Sequence, residues 1–505
     1  MRHDRTALLI GAAALVAGIA AAVHYRAAGL TLSHYDARAH LVVARRVIDS
    51  LTPGWQQIGA VWLPLPHLLN LLPVQVDAWY RTGASAVALS VVSTAVTAWA
   101  LASLILRCTR STSGAIAAAA LLVFNPNALY LQSTPMTEPL LFATSSAALA
   151  LMAAWIDEGA ARWPVAAGAA LAAACLTRYE AWPIAAAAIV IAAAVLARRG
   201  ARPGAVLGAC GRLLLFPAAA ILLFLINSRW TVGAWLVGAG FFVPENTDAL
   251  GHPLVAWAQV REGLYRLSGN ALVWSAYGGA ALAVLAFLRS RALASTALVL
   301  ALAAAAAFPC YAYVQGHPFR IRYDVPLVAA CAALAGAGIG LLWSRVRPLA
   351  AAVVVAAALL QAPPLDREAP LIRESQRDAD NMAGRRAVTA YLASHYDGRT
   401  IMMSMGSLGH YMQDLSREGF HIRDFLHEGN GDIWNFAMLR PRGIVGWIAI
   451  EERAEGGDAL FVVARRRPRF LEGFTRVAEG GGVALYRDMT SGSTRLPVHT
   501  IGNPH

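Results

Sequence analysis

The chain has 505 residues, of which 57% are hydrophobic and only 14% are charged. This balance excludes an ordinary soluble domain and indicates a protein whose main solvent is the lipid bilayer. The formal net charge is +12, and all 42 basic residues are Arg. They stand in scattered pairs between apolar blocks and form no single basic face, so we expect no nucleic acid partner. The five Cys lie in or beside apolar segments without CxxC spacing, which indicates neither a disulfide framework nor a zinc site.

Apolar segments long enough to cross a bilayer recur along most of the chain. A crossing helix needs about 20 residues at a rise of about 1.5 Å per residue. The candidate segments are residues 6 to 25, 83 to 106, 113 to 131, 139 to 156, 163 to 177, 181 to 197, 206 to 226, 270 to 288, 292 to 312, 325 to 343 and 348 to 362. The pattern predicts a mainly α fold, a polytopic helical membrane bundle of about eleven spans.

The first apolar segment has two interpretations. It follows Arg2 and Arg5 and ends in small residues at 20 to 23, which is also typical of a cleavable signal peptide. Its apolar run is longer than a usual signal core, and the residues just after it carry functional features. We therefore expect a retained span.

The distribution of Arg between the links predicts the sidedness of the membrane protein. Tight links on one side hold ten Arg, whereas those on the other side hold only Arg178, Arg320 and Arg322. The positive-inside rule places the first set of links on the cytoplasmic side of the membrane and the loops 26 to 82 and 227 to 269 on the outer side. We expect this membrane to be a bacterial inner (plasma) membrane. An apolar stretch at residues 230 to 243 is too short to cross, so we expect an interfacial or re-entrant piece there.

The composition turns polar from Pro363 onward, which predicts a second domain. Periodic stretches near 374 to 394, 406 to 417 and 430 to 439 predict helices, and residues 400 to 404, 443 to 450 and 483 to 486 predict strands. We expect a transmembrane catalytic domain at residues 1 to 362 and a small α/β domain at residues 363 to 505. An odd number of spans from a cytoplasmic N-terminus makes the second domain extracytoplasmic.

The first outer loop is long, polar and aromatic. Asp36 stands near its start, followed by Arg38 and His40, and by a Pro- and Trp-containing stretch at residues 59 to 67. Apolar residues from Leu41 to Leu51 predict an amphipathic helix lying in the interface, which would hold Asp36 near the bilayer surface. The alternative is a loop that only carries charges to water.

This loop resembles that of the GT-C glycosyltransferase superfamily, especially the bacterial relatives of protein O-mannosyltransferases and of lipid A aminoarabinose transferases. The resemblance covers about residues 6 to 362. It implies that Asp36 stands beside the acceptor as the general base or as its close partner. Ala37 departs from the pair of adjacent acids found in many members, so a role that needs the second acid, metal binding included, is not supported.

Three further motifs on the predicted outer side agree with the superfamily pattern: residues 137 to 139, 177 to 180 and 316 to 323. Ionisable groups beside apolar spans cost roughly 2.5–3.5 kcal/mol at a helix centre and therefore usually face a cavity, a partner or water. A polyprenyl-phosphate sugar has an apolar tail and an anionic head, so it needs cations beside apolar helices. We assign the donor phosphate to Arg320, Arg322, His317 and Arg178, the alternative being interfacial anchors.

Sugar transfer also needs a carboxylate that takes a proton from the acceptor hydroxyl. Asp36 is the predicted catalytic residue, and departure of the phosphate from the opposite face would invert the anomeric configuration. Weaker substrate-binding candidates are the remaining polar and aromatic residues of these motifs; they are Tyr35, Arg38, His40, Glu138, Glu180 and Tyr323. Glu138 and Glu180 could instead cap helix N-termini, and the Tyr residues could form an interfacial belt.

The sequence therefore predicts inverting glycosyl transfer from a polyprenyl-phosphate-linked sugar to a glycan, lipid or protein acceptor, with membrane lipids around the bundle. The donated sugar would be a hexose or a pentose. No cofactor is assigned, and a divalent metal is left open without being indicated. The alternatives are a secondary transporter and a non-catalytic scaffold that binds the lipid carrier. A transporter would place its ionisable groups near the midplane within internal repeats, and the halves of this chain show no repeat.

Overall fold

The described chain is mainly helical. The structure is a computed structural model that describes residues 2–237, 246–454 and 457–489. Its α-helices are α1 (Arg2–Ala27), α2 (Tyr35–Arg45), α3 (Leu65–Asn70), α4 (Asp77–Thr82), α5 (Ala84–Thr109), α6 (Thr112–Val123), α7 (Pro126–Leu131), α8 (Glu138–Asp157), α9 (Val165–Cys175), α10 (Ala181–Arg198), α11 (Pro203–Val232), α12 (Pro253–Arg289), α13 (Ala307–Val314), α14 (Pro326–Leu341), α15 (Arg347–Gln361), α16 (Pro370–Ser375), α17 (Ala379–His395), α18 (Met405–Leu415), α19 (Asp432–Leu439) and α20 (Ala459–Arg466). The strands are β1 (Ile401–Met403), β2 (Phe425–Leu426), β3 (Trp447–Glu451), β4 (Phe474–Gly480) and β5 (Val483–Asp488).

The chain divides into two compact units. We call the first the bundle unit; it comprises Met1–Thr31, Ala60–Pro66 and Ala86–Glu374. We call the second the sheet unit; it comprises Leu32–Gly59, His67–Ser85 and Ser375–His505. This division differs from the predicted boundary at residue 363, because most of the first loop belongs to the same compact unit as the C-terminal residues.

Membrane-spanning character is confirmed for the bundle unit. Among the described residues, 8 helices are long and apolar enough to cross a membrane, and three shorter apolar helices lie at Thr112–Val123, Val165–Cys175 and Arg347–Gln361. Each predicted apolar segment overlaps one of these helices, but the predicted segment 113 to 131 is divided between α6 and α7. A count of eleven spans stays a prediction. Part of the predicted interfacial piece at residues 230 to 243 lies outside the described residues; α11 continues as far as Val232.

Close packing on α14 forms the centre of the bundle unit. Helix α14 lies in the candidate membrane span Ile321–Leu341, and 94% of the residues in the most apolar part of this span are buried. Glycines let the neighbouring helices approach: a Cβ added at Gly114 of α6 would lie 2.5 Å from the Gly336 carbonyl oxygen, and one at Gly279 of α12 would lie 2.0 Å from the Leu334 carbonyl oxygen. Small residues at such contacts are the usual means of helix association in membranes.

The helix α12 is broken at Gly269, which has a φ of 73°. The break frees backbone groups that need partners inside an apolar segment. The Leu267 carbonyl accepts the side-chain amides of Asn125 and Asn127 at 2.8 and 3.1 Å, and the Ala271 N–H donates to Gln361 Oε1 at 2.8 Å. The part of α12 after this break coincides with the predicted segment 270 to 288.

The sheet unit contains a five-stranded sheet in the order β2-β1-β3-β5-β4. Strand β1 is parallel to β2 and to β3, whereas β5 is antiparallel to both β3 and β4. The β4–β5 hairpin turns at Gly481 and Gly482, whose φ values of 53° and 81° suit a tight hairpin turn. The predicted α/β character of this part of the chain is confirmed.

Helix α2 packs inside the sheet unit rather than on a lipid surface. It contacts α18, and Leu41, Val42 and Val43 are 1%, 0% and 7% exposed. The prediction of an interfacial helix is wrong for α2 itself, because Leu41, Val42 and Val43 are covered by protein, whereas Ile48, three residues after α2 ends, is 48% exposed. The polar residues of α2 are buried as well, and they are held by ion pairs described below.

Candidate functional site

In the bundle unit, the polar ends of two predicted motifs meet around Arg178. Its Nη1 lies 2.9 Å from Glu138 Oε1 and donates to Thr137 Oγ1 at 3.0 Å, and its Nη2 lies 2.7 Å from Glu180 Oε1. Both carboxylates are almost completely buried. Burial disfavours the guanidinium charge, but Glu138 and Glu180 outweigh it and raise the pKa of Arg178. The predicted phosphate ligand Arg178 is thus held between two acids.

Arg322 joins the same cluster. Its Nε lies 3.7 Å from Glu138 Oε1, its guanidinium carbon lies 5.5 Å from the centre of the Tyr323 ring, and the residue is 6% exposed. Glu138, Glu180, Arg178 and Arg322 carry two negative and two positive charges. The structure therefore brings four predicted site residues together in one buried, charge-balanced group.

The loop before α14 holds the other predicted residues of this motif. The His317 Nδ1 lies 2.9 Å from the Pro318 carbonyl oxygen and its Nε2 lies 3.4 Å from Tyr323 Oη. Since a carbonyl only accepts, Nδ1 carries the hydrogen and Nε2 accepts from the Tyr323 hydroxyl. Tyr313 Oη donates to the Arg320 carbonyl at 2.9 Å, which fixes the backbone that carries the Arg320 side chain.

Asp324 is a buried acid that the sequence reasoning missed. It is 0% exposed, and neither carboxylate oxygen has a hydrogen-bond partner among the described residues. The carboxylate lies against the backbone of α12: a Cβ added at Gly263 would be 2.0 Å from Asp324 Oδ2. A signal was available, since Asp324 stands two residues after Arg322 at the start of an apolar segment.

In the sheet unit, Asp36 lies in the first turn of α2. His34 caps this helix, with its Nδ1 accepting the Asp36 N–H at 3.1 Å, and the His34 ring stacks on that of Tyr35 at 4.7 Å between centroids. A carboxylate at this position is stabilised by the helix dipole. Asp36 is 8% exposed, so its carboxyl group is largely shielded from water.

Arg38, a predicted substrate contact, is completely buried in ion pairs. Its Nη2 lies 3.2 Å from Asp378 Oδ2, and its Nη1 pairs with Asp414. Arg385 shares Asp378 Oδ2 at 3.2 Å and lies 2.9 Å from Glu451 Oε1 through Nη2. This ionic network of five residues joins α2 to α17, α18 and β3, and it gives Arg38 a structural task.

His40, another predicted substrate contact, forms a pair with His67. His40 Nδ1 and His67 Nε2 lie 3.1 Å apart, and the two residues are 7% and 1% exposed. One nitrogen donates and the other accepts, so the pair cannot carry two charges at this distance without losing its hydrogen bond.

A second buried pairing further along the first loop escaped the sequence reasoning. Arg45 Nε lies 2.9 Å from Asp49 Oδ2 and its Nη2 lies 2.6 Å from Asp77 Oδ1. Asp49 also accepts the backbone N–H of Ile422 at 3.2 Å. The alternation of Arg and Asp in this loop was visible in the sequence, but the partner in the C-terminal part was not.

Metal ligation is not indicated by the described residues. Residues 2–237, 246–454 and 457–489 contain no group of three or more His, Cys, Asp or Glu that could hold a metal ion. The charged side chains described above are carboxylates, guanidinium groups and imidazoles, which suit proton transfer and the binding of oxyanions.

Comparison with known proteins supports the fold. Residues 80–222 match the family model described as dolichyl-phosphate-mannose-protein mannosyltransferase. No curated protein matches the chain in sequence.

Two solved structures resemble nearly the whole chain. One is ArnT from Cupriavidus metallidurans bound to undecaprenyl phosphate, with 14% identity and a TM-score of 0.54 over 96% of this chain and 98% of that chain. The other is the same protein in the apo state, with 13% identity and a TM-score of 0.51 over 92% of this chain and 97% of that chain. At these identities the likeness concerns the fold, and together with the family match it confirms the expected resemblance to the GT-C superfamily.

Proposed function

We propose that this chain, which has the fold of the GT-C membrane glycosyltransferases, transfers a sugar from a polyprenyl-phosphate carrier to an acceptor hydroxyl with inversion of the anomeric centre. The observation that carries the proposal is the match of residues 80–222 to a family described by a lipid-phosphate sugar donor. The undecaprenyl phosphate in the ArnT structure named above supports the same donor class.

The proposed chemistry is a single displacement. Asp36 takes the proton of the acceptor hydroxyl as the hydroxyl oxygen bonds to the anomeric carbon, and the bond from that carbon to the phosphate oxygen breaks. The products are the glycosylated acceptor and the polyprenyl phosphate, which keeps the electron pair of the broken bond. Because attack and departure occur on opposite faces, the anomeric configuration inverts.

Arg320 and Arg322 are proposed to bind the donor phosphate and to stabilise the charge that develops on it. Guanidinium groups remain charged and bind phosphate oxygens in a bidentate manner. Arg322 is the better supported of the two, because it stands in a buried cluster beside Glu138. Arg178 is held by two carboxylates, so it would act on the phosphate indirectly, by keeping Glu138 and Glu180 in place beside Arg322.

The proposed location is the bacterial inner membrane, with catalysis on its outer face and the C-terminal α/β domain extracytoplasmic. The asymmetry of Arg between the tight links supports this orientation. A hexose and a pentose are both compatible with the residues described, and a glycan, a lipid and a protein are all candidates for the acceptor.

The proposal is tested with purified protein in nanodiscs, a panel of undecaprenyl-phosphate-linked sugars, and lipid, glycan and peptide acceptors. We expect release of undecaprenyl phosphate that depends on an acceptor, and a product of inverted configuration by NMR. Arg322→Ala should weaken binding of undecaprenyl phosphate by roughly ten- to a hundredfold, the loss expected for a charge-assisted hydrogen bond. Arg345→Ala, in a link predicted to be cytoplasmic, is the control.

Sugar transfer with retained configuration would exclude the single displacement. A wild-type protein that moves a solute between compartments without cleaving any of these donors would instead support the transporter alternative.

A further inference from the structure

The hydrogen bonds of His410 fix the position of its proton. His410 lies on α18, and its Nε2 is 2.7 Å from Nη1 of Arg385. A guanidinium group has only donors, so at this short distance Nε2 offers a lone pair to Arg385, while the Asp378 carboxylate oxygen Oδ2 lies further from Nε2, at 3.4 Å. The imidazole is therefore neutral and carries its hydrogen on Nδ1.

Ion pairs hold the Arg385 side chain in place beside His410. Arg385 is 2% exposed and is held by Glu451 and Asp378 at 2.9 and 3.2 Å. Arg38 shares Asp378 from the side of α2. A positive charge on the ring would face two guanidinium groups and the Asp378 carboxylate that they share. Burial, followed by the charges of Arg38 and Arg385, holds the pKa of His410 well below its ordinary value.

His410 also lies next to the start of α2. Its ring packs edge to face against the ring of Tyr35, with centroids 6.3 Å apart, and Tyr35 directly precedes Asp36. In the described part of the chain the structure gives Nδ1 no acceptor, while the residue is 8% exposed. A buried imidazole with its hydrogen fixed on the free nitrogen is thus one side chain away from the proposed base.

We infer that His410 is a substrate-binding residue whose Nδ1–H donates a hydrogen bond to an oxygen of the sugar donor or of the acceptor. A neutral donor suits this place, because an imidazolium near Asp36 would stabilise the carboxylate and weaken it as a base. Arg385 is a positioning residue that acts through His410. The inference rests on the proposed function and adds to it a contact from the C-terminal part of the chain.

The first test compares His410→Leu with His410→Asn in the transfer assay. The Asn side-chain amide places an N–H near the position of Nδ1, whereas Leu has no donor. We expect His410→Leu to raise KM for one substrate by about tenfold and His410→Asn to restore most of that loss, as one neutral hydrogen bond predicts. A raised KM for the lipid donor assigns the oxygen to the donor, and a raised KM for the acceptor assigns it to the acceptor. His395→Leu, an exposed His of the same unit, is the matched control.

The second test does not need turnover. The 15N-histidine NMR spectrum, with the His410 signals assigned by their loss in His410→Asn, should show an Nδ1–H neutral ring from pH 6 to 8. An Nε2–H ring, or unchanged KM values for both substrates in His410→Leu, would overturn the inference even if transfer by the wild type is established. If the wild type transfers no sugar, the proposed function fails instead.

Discussion

Arg38 and Asp378 are 340 residues apart in the sequence, yet Arg38 Nη2 lies 3.2 Å from Asp378 Oδ2 in the sheet unit. The pair is buried on the Arg38 side and connects the helix that carries Asp36 with the C-terminal part of the chain. Most of the first loop and the C-terminal residues therefore form one compact unit. The position of the proposed base Asp36 depends on contacts between these two segments.

Removal of one partner of this pair should destabilise the protein. Asp378→Asn leaves Arg38 and Arg385 without their shared carboxylate, and breaking a buried ion pair typically costs about 3–5 kcal/mol. The melting temperature of the purified protein in detergent measures the effect. Arg476→Met, which removes an exposed pair with Glu452, is the control and should cost at most about 1 kcal/mol. Equal losses in the two variants would contradict the role given to the network.

A steric prediction concerns Gly263 and Asp324 in the bundle unit. Gly263→Ala would place a methyl group 2.0 Å from Asp324 Oδ2, a distance that forces the buried Asp324 side chain, α12 or the loop to shift. We expect a loss of about 1–3 kcal/mol, as for overpacking in a close-packed interior. Gly278→Ala on the same helix has nothing within 4 Å and should be tolerated.

A double-variant experiment separates this contact from a general effect of Ala in α12. Asp324→Ala removes the carboxylate, so Gly263→Ala should cost much less in that background. Thermal melting of the four proteins gives the coupling between the two sites. Additive losses would show that the carboxylate is not what excludes a side chain at Gly263.

A pH prediction follows from Glu451. Burial raises its pKa to about 7 from the usual 4.5, although Arg385 opposes the shift. The folded protein thus keeps this proton to a higher pH than the unfolded chain, so Glu451 reduces stability progressively as the pH rises from about 4.5 to about 7. Glu451→Gln should make the pH dependence of the melting temperature less negative in this window. Glu418→Gln changes an exposed acid and is the control for net charge; identical profiles for Glu451→Gln and wild type would contradict the prediction.

Much of the bundle could be predicted because its signals are local. A helix in a membrane shows itself as a run of apolar residues, and the segment 270 to 288 matches the part of α12 that follows the break at Gly269. What the run could not show is the amphipathic extension of α12 from Pro253, since its residues are polar enough to resemble a loop. The N–H of Ala271 that the break frees is paired with Gln361, which lies 90 residues away.

The sequence indicated which residues could belong to the candidate site better than it indicated which of them contact one another. The motifs named Glu138, Arg178, Glu180 and Arg322 among several candidates, and the structure pairs these four with one another. Their roles toward a substrate stay predictions. Burial of α2 was missed because its apolar pattern fits a protein surface as well as a lipid surface. The contacts of His410 and Asp378 were not predicted because their partners lie on distant segments, which a single sequence does not reveal.

The most direct measurement is the single-turnover rate of release of undecaprenyl phosphate, with the donor and acceptor that support transfer by the wild type, in Asp36→Asn. Loss of the general base should slow the chemical step by about a hundredfold to ten-thousandfold, while binding of undecaprenyl phosphate and the melting temperature stay close to those of the wild type. Asp380→Asn, at an exposed acid of α17, should behave as wild type. A rate for Asp36→Asn within about twofold of the wild type would contradict the assignment of Asp36 as the base, because that loss is far below what a general base contributes.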